Sequence, residues 1–248
     1  MKKIFCLVSS IFLISLVSFA QPAASGTTAV APKASNPAES AAKELANAAL
    51  AAHGGEKLKQ MKSLVMRGSV DITTTAFNQA IASTFVTVIA GEKYNYELNN
   101  PFQPLKQIFD GKQTFSSLQG FALPPITSLG FPLLPKIGET GYVISPLADE
   151  KKRRNGFRIT TPEGYYTDFL INEKTSQIKG YESSYEYNGR LITTSVVVDK
   201  CLLVDGVLVP ERYSQRFDLG QLTAYADFKS KVILVNSTIE DSVFAMPK

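Results

Sequence analysis

Tryptophan is absent from this chain, and histidine occurs once and cysteine twice in 248 residues. Each scarcity closes off a kind of chemistry. Hydrolysis by a Ser-His-Asp arrangement would have to run through His53, and no G-x-S-x-G elbow accompanies it. His53 stands beside Gly54 at the end of an expected helix, where an imidazole caps carbonyls, so we read it as structural. One histidine and two distant cysteines leave none of the usual zinc constellations, and no metal is expected. P-loop and dinucleotide fingerprints are missing, so no cofactor is expected either. Cys6 falls in an apolar N-terminal stretch. Cys201 is then alone, which excludes an internal disulfide framework, and it reads as a small buried hydrophobe rather than a reactive thiol. Glu182 and Glu186, in GYESSYEYN, read as a solvated strand face rather than a catalytic carboxylate pair. The chain is therefore read as non-enzymatic.

Charge is also sparse. Asp, Glu, Lys and Arg make up 19% of the chain, and the formal net charge of +4 falls to +2 without Lys2 and Lys3. Near-neutrality argues against a nucleic-acid binder driven by phosphate neutralisation. The one conspicuous cluster, Asp149 to Arg154, reads as a solvated loop, with contact to anionic headgroups or an acidic partner as the functional alternative.

What is present begins with MKKIFCLVSSIFLISLVSFA, residues 1–20: two lysines, an apolar stretch and a small-x-small end at Ser18-Phe19-Ala20, the pattern of a cleaved signal peptide. An uncleaved anchor is the alternative. Residues 21–35 are small, nearly uncharged and punctuated by proline, the composition of a disordered tether. A domain is then expected over 36–248, long enough for one sizeable core. Asn36 is placed to cap a helix that has Pro37 at its first position, carries Ala41, Leu45, Ala48 and Ala52 on one stripe, and stops at Gly54-Gly55. A short turn follows from Glu56 to Met61.

From Ser63 the period changes to two. Strand-like segments follow at 81–90, 93–98, 106–110, 113–118, 141–147, 156–161, 165–172, 177–187, 190–200, 207–218 and 221–236. Turn dipeptides separate many of them, among them Asp110-Gly111, Asn188-Gly189, Asp205-Gly206 and Leu219-Gly220. The pattern predicts an α+β protein: a large antiparallel meander, highly curved or closed, preceded by one good helix.

One stretch breaks the pattern. FALPPITSLGFPLLPKIG, residues 121–138, is nearly uncharged, and Pro124, Pro125, Pro132 and Pro135 exclude both a central strand and one long helix. Its apolar side chains would be costly to expose, at ~25 cal/mol per Å². It is expected to pack down onto the sheet, either as a lid that moves or as a static plug.

Several ordered motifs resemble the LolA/LolB-like superfamily of bacterial envelope proteins, which includes the periplasmic carrier and outer-membrane receptor for lipoproteins and RseB-type stress sensors. They are AAHGGEKLKQMKSLVMRGSV after an Ala-rich helix, GEKYNYEL followed by FDGKQTF, LVDGVLVPERY, and VNSTIEDSVFAMP near the end. The likeness spans nearly all of the chain from about Ala38 onward. It implies an open antiparallel β-barrel, or half-barrel, whose concave face is covered by the N-terminal helix and a helical or looped lid, and whose apolar cavity receives acyl chains. The segment 121–138 falls in the lid's slot. Three family features are missing, tryptophan among them. The carrier's lid-latching arginine has no counterpart in Glu92-Lys93-Tyr94-Asn95-Tyr96, and no lipobox cysteine is present.

Together these readings predict a periplasmic, monomeric carrier for lipoprotein acyl chains or another apolar ligand. The alternative is an envelope sensor that signals through a protein partner. The cavity is expected to be lined by Phe85, Tyr94, Tyr96, Phe109 and Phe115 from the central strands and by Phe121, Leu129, Phe131 and Leu134 from the cover.

Overall fold

The architecture is taken from a computed structural model that describes residues 36–117, 126–148, 154–187, 190–218 and 223–247. The expected signal peptide and tether, Phe121, the Asn188-Gly189 and Leu219-Gly220 turns and all of the charge cluster except Arg154 lie outside the described residues. Helix α1 spans Pro37–Ala52 and a one-turn α2 spans Glu56–Lys59. Strands β1 to β5 are Ser63–Thr74, Phe77–Ala90, Lys93–Asn99, Leu105–Phe109 and Thr114–Ser116. Strands β6 to β9 are Val143–Ser145, Gly156–Thr160, Tyr166–Ile171 and Ile178–Tyr187, and β10 to β12 are Arg190–Val204, Val207–Asp218 and Thr223–Val235.

All twelve strands form one antiparallel sheet in the order β5-β4-β3-β2-β1-β12-β11-β10-β9-β8-β7-β6. Consecutive strands are neighbours in space except β5 and β6, and the first and last strands, β1 and β12, pair at the centre. The sheet does not close: β5 and β6 form its two edges. This is the open antiparallel barrel with an N-terminal helix that the sequence predicts. Two strands run further than their patterns suggest, β2 starting at Phe77 and β10 continuing to Val204. Long partners extend them: Phe77 pairs with Thr74, and Val204 with Val207 across the Asp205-Gly206 turn.

Asn36 caps α1 by accepting a hydrogen bond from the Ala38 amide at 3.1 Å. The buried face consists of Ala42, Ala46, Ala49 and Leu50, one position round from the expected stripe; Ala41 is exposed. In so alanine-rich a helix periodicity has little contrast, and the sheet decides which alanines go inside. Small residues let α1 lie close to β6 and β7, against Phe157 and Ile159 in the main core. At its end the chain touches the β10–β11 turn. Gly54 has φ +119°, and a Cβ there would fall 2.6 Å from the Gly206 carbonyl oxygen.

The sheet's other face carries a smaller core. Val65, Val88 and Ile108 pack under Phe244, from a 3-10 turn at Asp241–Phe244. Asn95 Nδ2 donates to the Val243 carbonyl at 2.9 Å, and Lys93 pairs with Asp241 at 2.8 Å, fastening this C-terminal segment to the outside of β3. Also on the outer face, Asp168 is 1% exposed and is held by both Nε and Nη2 of Arg158, at 2.6 and 3.0 Å.

Candidate functional site

Alternation along the strands sends every second residue inward, and the inward residues of both halves of the sheet surround one cavity of about 330 Å³. One wall is greasy. Leu64, Met66 and Ile72 of β1, Ile89 of β2, Leu98 of β3 and Leu105 of β4 face it, with Thr87 and Tyr96 among them. Opposite, β9 contributes Tyr181, Ser183 and Tyr185, β10 Thr194, and β11 Pro210, Tyr213, Gln215 and Phe217. Ala224, Ala226 and Phe228 of β12 complete the floor. Ala224 and Ala226 lie opposite Phe217 and Gln215, and their small side chains leave the volume open. The Tyr213 and Phe228 rings stack at 4.7 Å, and Phe228 meets Phe85 edge-on at 5.0 Å.

The roof is the proline-broken segment. Its described part forms two 3-10 turns, Ile126–Ser128 and Phe131–Lys136, as the prolines require. Ile126, Leu129, Gly130, Phe131 and Pro132 face the cavity, whereas Leu133, Leu134 and Ile137 are buried in the main core. Gly130 is the pivot between these halves. Its φ is +63°, and a Cβ would meet the Tyr181 ring at 2.5 Å. The Gly130 amide donates to Thr167 Oγ1 at 3.0 Å, and Thr167 shares a 2.7 Å bond with Ser183 Oγ. The Phe131 amide bonds to the Tyr181 hydroxyl. Lys136 reaches Glu92 at 2.9 Å, tying the cover to the β2–β3 turn. Lys93, next to Glu92 along the chain, points away to Asp241. To the two hydrogen bonds at Gly130 and Phe131 the Glu92–Lys136 pair thus adds an ionic fastening between barrel and cover, with the cation on the cover.

Beneath the roof lies His53, fully buried. Its Nδ1 donates to the Leu208 carbonyl at 2.6 Å, and its Nε2 accepts from the Ile178 amide at 3.0 Å. That pair of bonds defines a neutral tautomer. Burial holds its pKa below the usual imidazole value, against the raising effect of the Leu208 bond. The ring does not cap its own helix; it bridges the end of α1 to β9 and β11 and contacts the Phe131 ring at 5.6 Å.

Of the residues expected to line the cavity, Tyr96, Leu129 and Phe131 do so. Phe85 is inward but lies behind Phe228 in the core. Tyr94 and Phe109 share the inward face and stack at 5.9 Å, but they sit at the strand ends beside the Gln107–Tyr94 hydrogen bond, away from the cavity. Leu134 is core, and Phe121 is outside the described residues. Phe115 lies on the opposite face. It pairs with Ile108 and packs in the outer core with Phe244, because that stretch of the sheet is covered on both sides. The expectation missed the β9 to β12 contribution, including Tyr181, Tyr185, Tyr213, Phe217 and Phe228. Glu182, on the alternate face of β9, pairs with outward Asp168, and Glu186 is exposed.

Burial raises the phenol pKa values of Tyr96 and Tyr181, takes Tyr185 up to about 12, and raises Tyr213 well above the usual value, with the neighbouring Tyr181 and Tyr96 adding to it. All four are neutral hydroxyls at physiological pH. No Asp, Glu, Lys, Arg or His lines the cavity among the described residues.

No known family model matches the sequence, and no curated protein matches it. A solved structure shares its architecture. A DUF1329 family protein from Desulfovibrio piger superposes with a TM-score of 0.50 at 10% identity, covering 85% of this chain and 98% of that one. A Vibrio parahaemolyticus domain described as an outer membrane lipoprotein-sorting protein gives a TM-score of 0.47 at 9% identity, covering 83% and 97%. At such identities the likeness is one of fold.

Proposed function

We propose that this protein binds one lipid-like molecule at a time and hands it on without covalent chemistry. The observation that carries the reading is the uncharged cavity of about 330 Å³ between two walls of one sheet, roofed by a segment that belongs to neither wall. Its volume falls in the range of small-molecule sites, roughly 300–1,000 Å³. At ~30 Å³ for a water-sized group, it accommodates about eleven such groups, which suits a single medium-length acyl chain rather than several. Burying ten methylenes contributes about 8 kcal/mol, of which association removes ~4 or more. Moderate affinity of that order lets a ligand be passed to an acceptor.

A non-catalytic role is supported by the engagement of the reactive side chains. Both nitrogens of His53 are hydrogen-bonded, Asp168 is paired with Arg158 on the far face, and burial pushes the Cys201 thiol up to about 11. The signal-like N-terminus and the motif resemblance support a periplasmic setting, with lipoprotein acyl chains as the natural candidates. Among the described residues no helix is long and apolar enough to cross a membrane.

Native mass spectrometry of gently purified protein, followed by lipid extraction, tests the reading. An acylated species is expected to accompany the wild type and to be lost in Leu129→Asp, which sets a carboxylate in the cavity wall. An empty cavity with a stable protein partner would instead favour an envelope sensor.

A further inference from the structure

The two walls of the cavity differ, and the difference bears on what the ligand carries. Along β9, Tyr181, Ser183 and Tyr185 all face inward, spanning ~13 Å from the cover toward the β9–β10 turn. The first two have partners: the Phe131 amide bonds to Tyr181, and Thr167 bonds to Ser183. On the next strand Thr194 accepts from Gln215 Nε2 at 2.8 Å. Tyr185 has none. The residue is 5% exposed, its ring lines the cavity, and its hydroxyl is buried without a hydrogen-bond partner among the described residues.

A buried phenol with no acceptor is costly, ~1–3 kcal/mol, and native proteins rarely keep one without a use. A saturated chain would leave it unsatisfied. A charged headgroup is also a poor fit, because no cationic side chain lines the cavity to offset its desolvation. A neutral acceptor fits on both counts. We infer that the ligand carries a neutral carbonyl, such as an acyl ester, which accepts a hydrogen bond from Tyr185 while its hydrocarbon runs along the β1–β4 wall to the underside of Leu129 and Phe131. This inference rests on the lipid-binding reading and adds the ligand's class and its direction: tail toward the cover, carbonyl toward the β9–β10 end.

The test compares methyl nonanoate with undecane, matched in length, as competitors of a fluorescent naphthylamine probe bound to the full-length protein. The ester-to-alkane affinity ratio of wild type is read against that of Tyr185→Phe, because the ester alone gives up water hydrogen bonds on entry and the ratio has no natural value of one. In Tyr185→Phe the ratio is expected to fall by about tenfold, the effect of losing one good buried hydrogen bond. The unliganded variant should melt at a higher temperature than wild type, because an unsatisfied hydroxyl has been removed. The infrared carbonyl stretch of the bound ester should lie at lower frequency in wild type than in the variant. A ratio and stretch unchanged by Tyr185→Phe overturn the inference and leave the cavity reading intact. If neither competitor displaces the probe and the probe itself does not bind, the cavity reading fails, and the inference with it.

Discussion

Replacing His53 by alanine and following unfolding free energy against pH isolates one side chain with unusual clarity, because the chain has no other histidine. The imidazole is fully buried, donating to Leu208 and accepting from Ile178. Its removal orphans a buried amide, ~1–3 kcal/mol, and opens a void of the kind that costs ~2–5 kcal/mol when a large core side chain is truncated. A loss of about 3–8 kcal/mol is expected, a large part of the ~5–15 kcal/mol typical of a domain. The pH dependence follows from the lowered pKa. Below 6.5 the unfolded chain takes up a proton at His53 that the folded protein refuses, since a protonated ring would turn an N–H toward the Ile178 amide. Stability from this group is therefore complete above pH 6.5 and declines as pH falls toward the folded-state value, with a slope approaching ~1.4 kcal/mol per unit. Urea titrations by circular dichroism at several pH values between roughly 5 and 7.5 should show this slope in wild type and its absence in His53→Ala. Parallel curves for the two proteins, or an imidazole that titrates by NMR at or above 6.5, would refute the reasoning.

Gly130→Ala should destabilise by about 1–3 kcal/mol and weaken probe binding, since a Cβ at φ +63° strikes the Tyr181 ring at 2.5 Å; urea melts and probe titration check both. Glu92→Gln removes only a partly exposed pair with Lys136, so global stability should change by under ~1 kcal/mol. Hydrogen exchange at Leu133 and Leu134 should nonetheless quicken, and unchanged exchange would show that this pair does not fasten the cover. With its thiol pKa raised to about 11 by burial, Cys201 should resist alkylation at pH 8 in the folded protein and react readily in urea; mass spectrometry of its peptide reads the difference.

Much of the architecture was legible because it is local. The Asn36-Pro37 start, the twelve alternating segments and the tight turns all declare themselves within a few residues. The roof was legible for the same reason, through four prolines in an uncharged stretch. The cavity was less so, since alternation names two faces without saying which is inside. Phe115 looked like a lining residue and faces out, because Phe244 covers the other side of the sheet there. The β9–β11 wall was hidden for a different reason: Ser183, Thr194 and Gln215 dilute the apolar period. Its meeting with β1–β4 across one cavity depends on the β1–β12 pairing, which no local pattern encodes.

That pairing sets the order in which the molecule can assemble. Leu64 meets Val235 and Val70 meets Phe228, partners roughly 160–170 residues apart. Each half of the sheet can zip up hairpin by hairpin, but one edge of β1 waits unpaired until β12, the last strand, is in place. Contacts of such long range are slow to form, and an apolar strand kept waiting is a template for mispairing. The fold therefore predicts a slow final step, the joining of two finished half-sheets at a single seam. It also predicts that truncation before Thr223 would yield an aggregating chain rather than a smaller folded domain.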